Sequence, residues 1–447
     1  MITTVSPSAT PDSGAENRGQ GARAALERAR EHTLAIIAPL TDEDVSAQHD
    51  SLMSPILWDL GHIAAFEELW LLENIAGDIR FSEMPGTYNP FEHPRATRGS
   101  LALPTLAGQR AELARVRNAT TTRLAVEQFD EGLPLLRDGY VVRMVAQHEW
   151  QHQETILQTL QLKQGASYQA PRAWPLPLGI PPGDDSAMVL CQGGRVRIGT
   201  DDHAESYDNE RPSHEVELAP FFIDVTAVTN GAYRRFVDAG GYDARAHWSD
   251  EGWAWRCESG VRAPKHWERN AAGEWTTRSM DAVDVLDPHR PVCHVCYHEA
   301  DAFARYAGKR LPTEQEWEVA ATWNPARGKA LAFPWGDEPP TREIANVDQL
   351  GFGTAQVGAY PHNVSPIGCY GMIGDVWEWT SSNFTGYPGF AAFPYPEYSE
   401  VFFGNDYKVL RGGSWATSAD VARATFRNWD YPIRRQIFAG FRCARDA

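Results

Sequence analysis

The chain has 447 residues, of which 43% are hydrophobic and 22% are charged, a composition typical of a globular protein with two or three domains. Its formal net charge of −18 argues against nucleic acid as a main partner. No apolar run reaches the roughly 18 residues of a transmembrane helix, so we expect no membrane partner.

The N-terminal stretch 1–21 is rich in Ser, Thr, Pro and Gly and lacks the apolar core of a signal peptide. We predict that it is a disordered tail. The six cysteines are scattered through the chain without the density of a disulfide scaffold. We therefore expect a cytoplasmic protein.

Residues 22–165 carry a helical pattern of apolar residues. The second helix opens at Ser54-Pro55, a cap residue followed by a first-turn proline. Four helices with short or moderate connections predict an antiparallel bundle, in which metal sites are built from facing helices. The predicted helices cover about 24–37, 56–72, 105–129 and 140–163.

The fourth predicted helix contains His148-Glu149-Trp150-Gln151-His152. His148 and His152 share one helix face, so their imidazoles can converge on one metal ion, although such a pair also occurs on solvated faces. H-E-x-x-H is also the motif of zinc metalloproteases, with the glutamate as general base, but no G-x-x-H follows. His62 lies on an apolar face of the second helix. A histidine in such a place is more often a structural core residue than a metal ligand, but the two histidines of the fourth helix make a ligand role more favourable.

Residues 166–187 contain five prolines and predict a linker. The remainder, 188–447, alternates short elements with loops rich in Gly, Trp and Pro, which indicates a loop-rich α+β domain. Cys293 and Cys296 form a C-x-x-C pair, but no second pair follows at zinc spacing, so a structural role is favoured.

A series of motifs in this C-terminal domain resembles the formylglycine-generating-enzyme/sulfatase-modifying-factor family. That resemblance implies a C-type-lectin-like fold, and hence a multidomain α and α+β protein. The motifs are Val228-Thr229-Asn230, the run 308–318 (GKRLPTEQEWE), Phe333-Pro334-Trp335-Gly336, the run 374–379 (GDVWEW), the run 411–415 (RGGSW) and Ala439-Gly440-Phe441-Arg442.

The N-terminal bundle resembles DinB-like domains, and the combination resembles the sulfoxide synthases of ergothioneine biosynthesis, also called hercynine oxygenases. The resemblance implies a non-haem Fe(II) held by His62, His148 and His152, whereas spacing alone would allow zinc. It also implies three substrates: hercynine, a Cys-containing thiol and O2. The motifs that support this resemblance are Leu52-Met53-Ser54-Pro55, His93-Pro94-Arg95, His148-Glu149 and the run 427–438 (RNWDYPIRRQIF).

Further roles follow from the same resemblance. Arg95 and Arg98 match a pair that holds the carboxylates of γ-glutamylcysteine, a task suited to planar bidentate donors. Asp430 matches the partner of the substrate's ammonium group, and Tyr395 matches a catalytic tyrosine, with Tyr398 as the neighbour that could be confused with it. Positions lining the hercynine site match Gln151, Asn428 and Trp429.

Several alternatives stay open. The thiol could be γ-glutamylcysteine or free cysteine, and an ovothiol-type sulfoxide synthase using cysteine and histidine shares this architecture. A formylglycine-generating activity should be absent, because Thr417 and Ala422 stand where that enzyme needs a cysteine pair for copper. A lectin-like binding module would leave the three histidines unexplained.

Overall fold

A computed structural model describes residues 13–76, 86–126 and 132–447, with side chains from residue 21 onward. The chain forms two compact units. The first holds the described residues of Met1–Gln48, Ser54–Gln153 and Asp202–Glu205. The second holds His49–Met53, Glu154–Asp201 and Ser206–Ala447, so the division falls inside a helix.

Helices dominate the first unit. They are α1 (Ser13–Ile37), α2 (Asp42–Ser46), α3 (Ile56–Glu68), α4 (Leu106–Val126) and α5 (Tyr140–Gln161), the last of which continues into the second unit. The four long helices match the predicted ones to within a few residues where both are described, except at the start of α1. The predicted end of the third helix, at Phe129, lies outside the described residues.

Helix α1 begins earlier than the sequence predicted. Ser13 is its first residue, so residues 13–21 are helical and do not belong to a disordered tail. The physical reason is that Ala15, Glu16 and Gln20 are good helix formers, and extending an existing helix avoids the cost of nucleation. The rest of the predicted tail, residues 1–12, lies outside the described residues.

Helix α3 is buried on every side from Ile56 to Glu67. It starts after Pro55, whose φ of −55° suits a helix entrance, and continues as a π-helical turn over Leu69–Glu73. A helix without a solvated face must satisfy its polar side chains inside the protein. We therefore expect each of the few buried polar side chains of α3 to have a hydrogen-bond or charge partner within the protein.

A buried ionic network joins the four long helices. Arg30 of α1 donates to Glu67 of α3 and to Glu149 of α5, each at 2.8 Å. Arg117 of α4 reaches the same two carboxylates, at 2.8 Å and 3.1 Å. Each charge in this network is paired, which is the condition for keeping charges inside a bundle.

The second unit consists of small sheets and short helices. The strands are β1 (Met188–Cys191), β2 (Gly194–Ile198), β3 (His214–Leu218), β4 (Phe221–Asp224), β5 (Trp267–Arg269), β6 (Trp275–Ser279), β7 (Ala282–Val285), β8 (Trp323–Asn324), β9 (Lys329–Ala330), β10 (Trp377–Asn383), β11 (Lys408–Arg411), β12 (Asn428–Asp430), β13 (Ala439–Gly440) and β14 (Ala444–Asp446). The largest sheet has the order β12-β11-β10-β13, and three-stranded sheets have the orders β1-β4-β14 and β5-β6-β7. The helices are α6 (Asn230–Asp238), α7 (Asp250–Ser259), α8 (Tyr297–Tyr306) and α9 (Glu314–Thr322).

Buried arginine–carboxylate pairs hold the loops of the second unit. Arg427 bonds both carboxylate oxygens of Glu314, at 2.8 Å and 2.9 Å. Arg442 does the same with Glu378, at 2.7 Å and 2.9 Å. Because planar bidentate pairs fix orientation as well as distance, they can order a domain with little regular structure. Most of these residues belong to the motifs that carried the family resemblance.

The proline-rich segment 166–187 contains no helix or strand, and it belongs to the second compact unit. The backbone N–H of Trp174 donates to Leu350, and that of Gly179 donates to Gln356. The predicted boundaries at 165 and 187 thus differ from the observed division after Gln153. None of the helices in the described part of the chain combines the length and hydrophobicity that a membrane span requires.

Candidate metal centre

His62 of α3 and His148 and His152 of α5 come together inside the bundle. One ring nitrogen of each lies within 4.8 Å of the others. The Nε2 atoms of His62 and His148 are 3.2 Å apart. Two nitrogens bound to one ion at about 2.1 Å, with roughly 90–110° between the bonds, lie about 3.0–3.4 Å apart. The observed spacing therefore suits two ligands of a single ion.

The electrostatics keep His62 and His148 neutral. Burial, followed by the neighbouring His152, lowers the pKa of His62 well below its usual value, and the same causes act on His148. A metal ion needs the neutral imidazole, whose free lone pair is the ligand. The site is thus prepared in the protonation state that binds a cation.

Aromatic side chains of α3 hold His62 and His148, and His62 is also held by the backbone carbonyl of Tyr88. The His62 ring stacks on Trp58 at a centroid distance of 4.9 Å, and its Nδ1 bonds the carbonyl oxygen of Tyr88 at 2.8 Å. That carbonyl requires the proton on Nδ1, so the lone pair is on Nε2. The His148 ring stacks on Phe66 at 3.7 Å. The i, i+4 spacing of 58, 62 and 66 places these rings on one stripe.

His152 is held differently, by a carboxylate. Its Nδ1 lies 3.1 Å from Oδ1 of Asp59 on α3. Asp59 was not among the site residues predicted from the sequence. A signal was present, because an acid within Ile56-Leu57-Trp58-Asp59-Leu60, three residues before a histidine, is unexpected on an apolar helix.

The carboxylate of Glu149 belongs to the ionic network, away from the histidine group. Its Oε1 accepts from Arg30 Nε at 2.8 Å and from Thr33 Oγ1 at 2.7 Å, and its Oε2 accepts from Arg117 at 3.1 Å. A general base must reach a metal-bound water with a free lone pair. These contacts disfavour the zinc-hydrolase alternative, although the motif is present.

The three histidines fit a resident metal ion. They form a donor set of three imidazoles, and Asp59 and Glu149 are not part of the group. Imidazole suits iron, zinc, copper and nickel, so this donor set is compatible with Fe(II) without selecting it. Three protein ligands leave coordination positions for substrates.

The two predicted arginines are in different environments. Arg98 is buried, with its guanidinium carbon 3.5 Å from the centre of the Trp58 ring. Its Nη1 donates to Ser54 Oγ and its Nε to the His93 carbonyl, each at 2.8 Å. Burial lowers the pKa of Arg98 to about 10. Arg95 is exposed, and Gln151 is half-buried on α5, three residues after His148.

Tyr395 and Trp429 belong to one aromatic cluster of the second unit. The ring of Tyr398 lies between them, with centroids 6.3 Å from Tyr395 and 5.8 Å from Trp429. Trp429 in turn stacks on Phe384 at 4.1 Å. Tyr395 is buried and Tyr398 is half-buried. The structure thus places Tyr398 next to Trp429, which is predicted to line the hercynine site, and Tyr395 next to Tyr398.

Asn428 and Asp430 flank Trp429 on strand β12. Alternation along the strand places these two side chains on one face and Trp429 on the other. Asp430 pairs with Arg434 at 3.4 Å, and its Oδ1 accepts from the backbone N–H of Tyr431 at 2.8 Å. Part of its hydrogen-bonding capacity is therefore directed to the protein itself.

Thr417 has a structural role in the second unit. Its hydroxyl donates to Glu154 at 2.8 Å, and Ser414 and Trp377 donate to the same buried carboxylate at 3.0 Å and 2.7 Å. Burial raises the pKa of Glu154, and the three donors oppose that shift. A hydroxyl thus satisfies a buried acid at a position where a formylglycine-generating enzyme would need a thiol.

Comparison with known proteins assigns the two parts of the chain. Residues 25–156 match the DinB superfamily, and residues 181–447 match the sulfatase-modifying factor enzyme 1-like domain. A formylglycine-generating enzyme from Thermomonospora curvata is 32% identical over 58% of this chain and 93% of its own length. The fold class predicted from the sequence is confirmed.

Other relatives align over almost the whole chain. A hercynine oxygenase from Mycolicibacterium thermoresistibile is 45% identical over 96% of this chain and 95% of its own length. A second, from Mycobacterium tuberculosis, is 44% identical over 94% of this chain and 97% of its own length. These alignments include both units, so the resemblance inferred from the motifs is confirmed, and the chain belongs to the hercynine oxygenase family.

Proposed function

We propose that this protein is an Fe(II)-dependent, O2-dependent sulfoxide synthase of ergothioneine biosynthesis. It joins the thiol of γ-glutamylcysteine to the imidazole C2 of hercynine and oxidises the sulfur. The observation that carries the proposal is the group formed by His62, His148 and His152 in a member of the hercynine oxygenase family.

The reaction balances with O2 as the only oxidant. Forming the C–S bond removes the thiol hydrogen and the hydrogen on C2, a two-electron oxidation. Adding oxygen to sulfur is a second two-electron oxidation. One oxygen atom enters the sulfoxide, and the other leaves as water with the two hydrogens. Iron, when bound, supplies the open positions and the redox chemistry that O2 activation requires.

The side chains of this protein would then bind and orient the substrates. Arg95 and Arg98 would hold the carboxylates of the thiol, and Asp430 would pair with its ammonium group. Gln151, Asn428 and Trp429 would contact hercynine. Tyr395 would supply a proton or hydrogen atom during turnover. Support for these roles comes from the family resemblance and from the closeness of Arg98 to Trp58, the residue against which His62 stacks.

The cellular setting is also a proposal. All six cysteines are free in the structure, which is typical of a protein in a reducing compartment. The thiol substrate requires the same conditions. We therefore place the reaction in the cytoplasm.

The test is anaerobic loading with Fe(II), followed by oxygen and mass analysis of the products. Hercynine is offered with γ-glutamylcysteine or with cysteine, and histidine with cysteine represents the ovothiol-type alternative. The protein loaded with zinc is the matched control, because the same ligands then lack redox chemistry. We expect the sulfoxide of hercynine and γ-glutamylcysteine from the iron form alone.

Each other outcome has a distinct meaning. A product from histidine and cysteine would indicate the ovothiol-type reaction. Faster turnover with cysteine than with γ-glutamylcysteine would identify the other thiol. If the iron-loaded protein consumed no O2 with any pair of substrates, the proposed function would be wrong.

A further inference from the structure

Asp59 is a buried acid whose closest functional neighbour is a candidate metal ligand. Its side chain is 2% exposed, and its Oδ1 lies 3.1 Å from Nδ1 of His152. Neighbours of Asp59 on α3, such as Trp58 and Leu60, are buried as well. Burying a carboxylate among apolar groups costs free energy unless the charge has a partner, so its retention here requires an explanation.

The three histidines differ in what holds their distal nitrogen. His62 Nδ1 has a neutral backbone carbonyl as its partner, and the ring of His148 is held by stacking on Phe66. Within the described residues, His152 alone among the three pairs with a charged side chain. A carboxylate acceptor requires the proton on Nδ1, which leaves the lone pair on Nε2.

The second oxygen of Asp59 shows that the carboxylate is incompletely satisfied by the fold. Among the described residues, no hydrogen-bond donor reaches the buried Oδ2. A purely structural acid would normally use both oxygens.

We propose that Asp59 is a positioning residue: its carboxylate holds His152 in the Nδ1–H tautomer and turns Nε2 toward His62 and His148. Asp59 itself stays outside the ligand set, in agreement with the grouping of the three histidines alone. The proposal rests on the proposed metal site and adds a residue to which neither the sequence motifs nor the family resemblance assigned a role.

The experiment measures metal affinity and geometry, without turnover. Wild type, Asp59→Ala and Asp59→Asn are titrated with Fe(II) under anaerobic conditions and with Co(II), whose visible spectrum reports the number and geometry of its ligands. Carboxylate partners of metal-binding histidines are worth about 10–100-fold in affinity. We expect about tenfold weaker binding for Asp59→Asn and a loss near 100-fold for Asp59→Ala, with an altered Co(II) spectrum in the latter.

Glu67→Gln is the matched control. Glu67 is another buried carboxylate on α3, but it pairs with Arg30 and Arg117 and contacts no histidine of the group. Its substitution should lower stability, because Arg30 and Arg117 lose a charged partner, and should leave the Co(II) spectrum unchanged. If the role of Asp59 were only structural, its variants would also lose stability while keeping the wild-type Co(II) spectrum.

A double-mutant cycle tests whether Asp59 acts through His152. His152→Ala leaves two ligands, so the residual, weaker binding of Co(II) is titrated at high metal concentration, and adding Asp59→Ala should weaken it no further. Equal losses in the two backgrounds would contradict the proposal.

The remaining outcomes are separable. Wild-type affinity and spectrum in the Asp59 variants would overturn the role of Asp59 alone. A wild-type protein that binds neither ion would overturn the metal centre and, with it, this role. If Asp59→Ala does not fold, the near-isosteric Asp59→Asn decides: undiminished affinity in that variant contradicts the proposal.

Discussion

Glu149 Oε1 accepts a hydrogen bond from Arg30 Nε at 2.8 Å, and this pair connects helix α5 to helix α1. The acid of the H-E-x-x-H motif is therefore part of the bundle's ionic network. Glu149 lies next to His148 in sequence, but its carboxylate contacts Arg30, Thr33 and Arg117.

Replacing Glu149 by Gln should cost stability. Breaking one partner of a buried ion pair costs about 3–5 kcal/mol, because the remaining charges stay buried. We expect a loss of about 3 kcal/mol in the free energy of unfolding, measured with urea. Glu68→Gln is the control, since its pair with Arg115 is largely exposed and contributes under about 1 kcal/mol. Equal effects in the two variants would show that the network is not stabilising.

Replacing His148 by Ala should abolish iron binding and activity together. The substitution removes one of three nitrogen donors, and the two that remain bind the ion too weakly to retain it through gel filtration. Iron content after anaerobic loading and gel filtration measures the effect. His32→Ala is the control, because His32 is exposed on α1 and packs only its edge against Trp150. Full iron occupancy in His148→Ala would exclude this histidine as a ligand.

Arg95→Ala and Arg98→Ala should raise the KM for the thiol substrate to a similar extent but should differ in their effect on thermal stability. Each charge-assisted hydrogen bond to a substrate carboxylate contributes about 1.5–3 kcal/mol, so either alanine variant should raise the KM for γ-glutamylcysteine about 10–150-fold. Only Arg98→Ala should also lower the midpoint of thermal unfolding, because Ser54 and His93 lose their donor.

The KM for hercynine serves as the internal control for these two variants. An unchanged KM for the thiol in Arg95→Ala and Arg98→Ala would remove the arginines from the thiol site. A similar rise in the KM for both substrates would point to general damage.

Tyr395→Phe and Tyr398→Phe should separate the two candidate tyrosines. Both substitutions keep the ring contacts of the aromatic cluster and remove only the hydroxyl. Proton donation by a positioned side chain contributes about 10²–10⁴-fold to rate. We expect kcat for sulfoxide formation to fall by that amount in Tyr395→Phe and by less than threefold in Tyr398→Phe. The reverse pattern would assign the role to Tyr398.

Asp208 should make stability depend on pH. Burial raises the pKa of this carboxyl from 3.8 to about 6, while Ser399 and the Phe393 backbone N–H donate to it. Because the folded state binds the proton more tightly, the stabilising contribution is complete below about pH 4 and is lost as pH rises through about 6.

The expected size of this effect is about 2–3 kcal/mol between pH 4 and pH 7. It is measured as the difference in unfolding free energy between wild type and Asp208→Asn at each pH. The exposed Asp337→Asn serves as the control and should show no such trend. A difference that does not change with pH would contradict the raised pKa. Since Phe393 and Ser399 flank Tyr395, Asp208 also holds the loop that carries this tyrosine.

Local pattern was sufficient for much of the bundle. Helical periodicity predicted the four long helices, and the i, i+4 spacing placed His148 and His152 on one face of α5. Composition gave the wrong prediction at the start of α1. The Ser and Gly content of Ser13–Gly21 predicted a disordered tail, but the segment is helical because it continues into the residues that follow. Composition describes a segment in isolation, whereas helix extension depends on its neighbour.

The sequence by itself determined the domain order, the helices of the bundle and the motifs that identify the family. Only the tertiary structure decided which polar side chains meet. His62 joins the α5 pair because α3 packs against it, Asp59 faces His152, and Glu149 pairs with Arg30. A step of one residue turns a helix by about 100°, so spacing selects a face but not its partners. Those partners come from distant segments, and packing alone brings them within hydrogen-bond distance.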